Sequence, residues 1–195
     1  MGLRGRSIFG DQDLVFFVTT TIVHHDPILG FGRHYYLILL ESLKFVLSKY
    51  QATLFAYIFM SSHIHLVIAM PEKKSISDLL RDFKKYTSTR IRQQLEKDCK
   101  SDTIIRLRMN AKGKRNQVFK LWMERFDDLV IENDKKLQIK IDYIHNNPVK
   151  AGFIDLPEQW EFSSARNYIL GNHSLISVSV DWEMPSSKVA SRGNS

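Results

Sequence analysis

Two histidines stand two residues apart in the apolar run Ser61-Ser62-His63-Ile64-His65-Leu66-Val67-Ile68. On a strand, alternation puts His63, His65 and Val67 on one face and Ile64, Leu66 and Ile68 on the other. Two imidazoles about 7 Å apart along one face can converge on a single divalent ion. A pair of hydrogen-bonded histidines near a sheet edge fits the same spacing equally well. A second set of polar groups lies in the segment Asp134 to Asn147, where Leu137, Ile141 and Ile144 make one helical stripe. Tyr143 and Asn147 are four residues apart, about 40° from each other on one flank of that stripe, and Lys140 is their neighbour a turn earlier. A tyrosine hydroxyl and an amide oxygen therefore project together from one side of the same helix. Taken alone, Tyr143 also reads as a boundary aromatic and Asn147 as a helix cap before Pro148. His145, about 160° from Tyr143 on the wheel, reads as a cap or surface group.

The elements that must position these groups are legible from periodicity. Leu14 to Val23 is β-branched and aromatic and predicts a first strand. A helix is predicted from Arg33 to Tyr50, then a strand from Ala52 to Met60, a turn at Ser61-Ser62 and a strand from His63 to Met70. A helix from Ser75 to Leu95 opens on a capping-box pattern, Ser75 with Asp78. Lys100 to Gln117 reads as a basic loop with a short strand at its start, and Val118 to Ile131 holds two apolar clusters. The last helix spans Asp134 to Asn147, with Pro148 as its stop. This order implies an α+β, ferredoxin-like antiparallel sheet with its helices packed on one face and the other face partly free. One domain over residues 1–170 is expected, with residues 171–195 as a partly flexible extension ending in a loose tail.

Composition narrows the function classes. The chain of 195 residues is 44% hydrophobic and 11% aromatic, which suits a folded domain with a sizeable core. A single cysteine, Cys99, excludes a disulfide framework and a cysteine-rich zinc site, and points to a reducing cytoplasm. No apolar run is long enough for a membrane span, and the N-terminal residues make a poor signal peptide. Between Arg81 and Lys120 there are 13 Lys and Arg against four Asp and Glu, a local excess larger than the +7 of the whole chain. Such one-sided charge favours a polyanionic partner, most often nucleic acid. Arg81, Lys84, Lys85, Arg90 and Arg92 are the candidate phosphate contacts.

The run HIHLVI, then DYIHNNPVKAGFI, then PEQWEFSSARNY, taken in order, resembles the REP-associated tyrosine transposases. These are insertion-sequence-200-like, single-tyrosine HUH nucleases (His, hydrophobic residue, His). The likeness runs from about Leu14 to Tyr168, and Trp122, Arg125 and Phe126 are similar to the family's Trp-x-x-Arg-Phe segment. The resemblance implies that His63 and His65 are metal ligands, Tyr143 the nucleophile and Asn147 a third polar ligand. It implies a Mg²⁺ or Mn²⁺ ion, with Mn²⁺ better matched to imidazole. It further implies a single-stranded or hairpin DNA partner, cut to leave a 5′-phosphotyrosine and a free 3′-hydroxyl. A monomer or a homodimer is compatible with it. The sequence departs from the pattern at Ser61-Ser62, at Met123 and in the long basic stretch Lys97 to Gln117, none of which removes a catalytic group. Two other readings remain open at this point: a structured-DNA binder without catalysis, motivated by the basic excess, and a hydrolytic phosphodiesterase that forms no protein–DNA adduct.

Overall fold

A computed structural model describes residues 14–111 and 118–182. Four strands form one antiparallel sheet in the order β2-β3-β1-β4: β1 (Leu14–Thr21), β2 (Thr53–Phe59), β3 (His63–Met70) and β4 (Asp127–Ile131). Helix α1 (Arg33–Tyr50) connects β1 to β2, with β3 laid between them, and α2 (Ile76–Lys97) leads on toward β4. This is the split β-α-β connection that the order of elements predicts.

The register of β1 on β3 decides what the site contains. Thr19 lies opposite His65, Thr21 opposite His63 and Phe17 opposite Val67, so these residues share a face. The other face carries Val18, Ile22, Ile64, Leu66 and Ile68, buried against α1 and α2. A bulge between Leu54 and Ala56 turns Phe55 and Ala56 to the histidine face in succession, while Leu54 and Tyr57 keep to the α1/α2 side.

The two large helices are amphipathic for evident reasons. Helix α2 buries Leu79, Leu80, Phe83, Thr87, Ile91 and Leu95 at three- and four-residue spacing and is capped by Ser75, whose Oγ accepts Asp78 N–H at 3.3 Å. Asp82 ties it to α1 by accepting from Lys49 Nζ at 2.5 Å and Tyr50 Oη at 2.9 Å.

The structure departs from the sequence expectations in four places. Residues Ser101–Met109 form a helix, α3, where a loop with a short strand is expected; Ile104 and Leu107 bury on one side of it. Strand β4 was not predicted, because all but Ile131 of its five residues are exposed at the sheet edge and no burial alternation marks it. Helix α4 (Asp134–Lys150) continues through Pro148. The fixed φ of proline suits a helix, although the residue withholds the N–H that would bond Ile144 O and crowds that carbonyl. The stop is Gly152, at φ +72°, with Gly152 N–H on Val149 O at 2.9 Å and Phe153 N–H on Pro148 O at 3.0 Å, a Schellman closure. Finally, the second face of the sheet is not bare. Helix α4 lies across it, burying Leu137, Ile141 and Ile144 against Val15, Ile58, Val67, Ala69 and Ile131.

Past α4, the chain packs back onto the sheet. Helix α5 (Ala165–Leu170) follows, and beyond it Ile176 and Val178 are buried, with Ser179 N–H on Leu54 O at 2.9 Å. The expected loose tail lies outside the described residues. No described helix is long and apolar enough to cross a membrane.

Asn133 caps α4, its Oδ1 accepting Lys136 N–H at 2.9 Å. Asn133→Ala is predicted to lower stability by about 1 kcal/mol, read as a lower urea midpoint at unchanged slope.

Candidate active site

The sheet register brings His63 and His65 side by side, with ring centroids 4.9 Å apart. His65 is 4% exposed, and its Nδ1 lies 2.8 Å from Thr19 Oγ1 on the neighbouring strand. Its Nε2 is buried with no hydrogen-bond partner. A buried polar atom left unpaired costs on the order of 1–3 kcal/mol, so this nitrogen calls for a ligand. Phe17 stacks on the same ring at 5.5 Å. His63 is half-buried, with Nδ1 3.2 Å from Ser62 Oγ.

Electrostatics keep both rings neutral. Burial pulls the His65 pKa down to about 3, helped by His63 and Lys140 nearby. Burial also lowers that of His63, with His25 adding to the effect. Neutral imidazole is the form that binds metal. With Nδ1–H of His65 given to Thr19, the lone pair on Nε2 is free for an ion.

Helix α4 delivers Tyr143 to this spot. Its ring, 40% exposed, lies edge-on to His65 at 5.3 Å and to Phe17 at 5.9 Å. Asn147, half-buried, follows one turn later on the same flank. The structure therefore gathers His63, His65 and Tyr143, with Asn147 one helical turn beyond Tyr143. No group of three His, Cys, Asp or Glu that could hold a metal occurs among the described residues. The donor set shown is two uncharged imidazoles. That set fits a divalent cation with open positions, completed by water or phosphate oxygen.

Several residues of the site escape a reading of single segments. Thr19 and Phe17 act through the β1–β3 register, which becomes visible only once the strands are paired. Lys150 is seven residues from Tyr143, about 20° away on the wheel, and Pro148 hides it from any reading that ends the helix there.

The basic residues of α2 do not form one patch. Arg81 is paired with Asp78 and Asp82, and Arg90 with Glu41 of α1. Lys84 turns inward, where its Nζ donates to the carbonyls of Met123, Glu124 and Arg125 and sits 5.5 Å from the Phe126 ring centre. Burial lowers its pKa to about 8. Lys85 and Arg92 remain, lining a groove of about 530 Å³ between α2 and residues 118–124. Trp122 anchors the far wall, its Nε1–H donating to Thr87 Oγ1 at 2.9 Å.

Three further histidines and Trp160 have partners of their own. His145 is not a surface group: it is 7% exposed, with Nε2 2.8 Å from Ser164 Oγ, because α5 and the segment before it cover that side of α4. His24 meets Asn110, and His34 pairs with Asp98. Trp160 plugs the sheet edge, donating Nε1–H to Phe59 O at 3.0 Å.

Residues 31–103, which include both histidines and the basic helix, match the family model described as Transposase IS200 like. The chain is 29% identical over 159 residues to a protein of Haemophilus influenzae (strain Rd) provisionally named a REP-associated tyrosine transposase, covering 82% of this chain and 83% of that one. Its fold matches the solved structure of a REP-associated tyrosine transposase bound to a REP hairpin, with a TM-score of 0.60 and 21% identity over 97% of this chain and 95% of that one. The resemblance carried by the motifs is borne out, and so is the α+β fold.

The buried histidines make a prediction about acid. Burial lowers the pKa of His145 to about 4 and that of His65 to about 3. Below the unfolded value near 6.5, the unfolded chain therefore binds more protons than the folded one. Stability is expected to be complete above about pH 6.5 and to fall as pH drops toward 4. His145→Gln, which keeps an amide for Ser164, should flatten the loss between about pH 6.5 and 4, as read from urea midpoints across pH.

Proposed function

We propose that this chain, a relative of the IS200-like transposases, cuts single-stranded DNA beside a hairpin and rejoins the strands through a tyrosine-linked intermediate. The observation that carries the reading is the meeting of the Tyr143 ring with the neutral, partnerless edge of His65. A phenol with a pKa near 10 is a weak nucleophile at neutral pH, so its target must be activated. A divalent cation, Mg²⁺ or Mn²⁺, held by His63, His65 and Asn147 would supply polarisation of the scissile phosphate.

The protein's own groups do the rest. Thr19 and Phe17 fix the His65 ring from two sides, so the ligand edge costs no reorganisation. Tyr143 Oη attacks phosphorus as the bond from phosphorus to the 3′ oxygen breaks. The departing 3′ oxygen takes up one proton and the phenol gives one up, so water is not consumed and the bond energy stays in the phosphotyrosine. A second 3′-hydroxyl can then reverse the step and join the strands. Lys85 and Arg92 would guide the backbone along the groove. The REP hairpin named for the solved relative is the motive for hairpin DNA as substrate.

A hairpin oligonucleotide with single-stranded flanks, incubated with Mn²⁺, is expected to give a covalent adduct on a denaturing gel. Tyr143→Phe should abolish the adduct and leave hairpin affinity intact. His65→Ala should slow it roughly 10²–10³-fold. An adduct that persists in Tyr143→Phe would overturn the assigned nucleophile. Hairpin binding with no adduct under any metal would favour a non-catalytic binder. In the same assay, Lys85→Ala and Arg92→Ala should each reduce the salt slope of binding by about 1. Lys84→Met should instead lower stability, since its ammonium is committed to three carbonyls.

A further inference from the structure

Two lysines of α4 stand beside the nucleophile with no counter-charge. Lys140 Nζ is 4.5 Å from the centre of the Phe17 ring and 5.9 Å from that of Tyr143. Lys150 Nζ is 5.8 Å from the Tyr143 centre. Among the described residues these rings are their partners; neither ammonium has a hydrogen-bond acceptor or a carboxylate in ion-pair range. Lys49 is matched by Asp82, Lys136 by Glu132 and Lys84 by backbone carbonyls, whereas Lys85, like Lys140 and Lys150, is left for a ligand. Asp127 faces Thr19 across β1 and β4 and so lies on this side of the sheet, yet it pairs with neither lysine.

The imbalance sits where a cation would bind. The ligands at His63, His65 and Asn147 carry no negative charge, and Lys140 is close enough to His65 to oppose its protonation. Two ammonium groups around one phenol, next to a buried nitrogen that lacks a partner, make a site short of anions. The shortage is local, and a polynucleotide backbone is the ligand that fills it with several charges at fixed spacing.

We propose that Lys140 and Lys150 form a phosphodiester clamp around Tyr143, with Lys140 taking the phosphate presented to the histidines and Lys150 a neighbouring phosphate of the same strand. The clamp rests on the strand-cutting reading above, which is what brings a backbone to this tyrosine. It deepens that reading by assigning the orientation of the strand to two residues on the nucleophile's own helix. Holding the backbone on both sides of the phenol would set its line of attack.

The test uses the full chain with Tyr143→Phe, so that binding is read without cleavage. Hairpin oligonucleotides carry one neutral methylphosphonate at a time in the single-stranded flank. Lys140→Gln and Lys150→Gln should each weaken binding about tenfold, the scale of one charged contact. Each loss should vanish on the oligonucleotide whose neutral position is the phosphate that lysine holds, and the two positions should differ. Lys140→Arg should restore most of the affinity. Losses that are equal on charged and neutral backbones, or no loss at all, would overturn the clamp. With Tyr143 present, absence of any adduct would count against the cleavage reading alone, because the coupling between lysine and phosphate is read in binding.

Discussion

One nitrogen organises this molecule. His65 Nε2 is buried, its ring is flanked by Phe17 and fixed by Thr19, and it has no partner of its own. Folding alone gives no return for such an arrangement, since the desolvated atom is a cost. The rest of the fold maintains it all the same. The β1–β3 register supplies Thr19, and the β-branched, apolar face around it sets the depth of burial. Helix α4 closes the space above with Tyr143 rather than with another aliphatic residue. A chain selected only for packing would fill that place with a side chain asking nothing of its surroundings.

Much of this was legible in the residues. The first three strands and the two long helices announce themselves by alternation and by three-four spacing, and α1 and β3 have the predicted limits. What remained hidden was either too short or too exposed to carry a period. Helix α3 offers two buried aliphatics among charges, and β4 is an edge strand with one buried residue. Proline misled as to the end of α4 because the real stop is a glycine four residues later. His145 was misjudged because a helical wheel shows direction but not what a later segment folds over it.

For the candidate site, spacing within two segments singled out His63 with His65 and Tyr143 with Asn147, and strand alternation gave the histidines their common face. It could not find Thr19, whose part depends on pairing with a strand more than forty residues away. Nor could it sort the basic residues. Lys84 and Lys85 are adjacent in sequence, yet one is spent on backbone carbonyls and the other faces the groove. Charge density along a chain reports a tendency toward anions. Which charges are available is set by tertiary pairing.

The two sides of the sheet are unequally furnished. Helices α1 and α2 share a deep apolar layer on one side, whereas α4 is held to the other chiefly by Leu137, Ile141 and Ile144. Of the three long helices, the one that carries Tyr143 thus has the fewest buried apolar residues. Local opening free energies follow buried apolar area. Backbone amides of α4 should exchange with solvent sooner than those of α1. In this architecture the helix that brings Tyr143 to His65 is also the most lightly seated of the long ones.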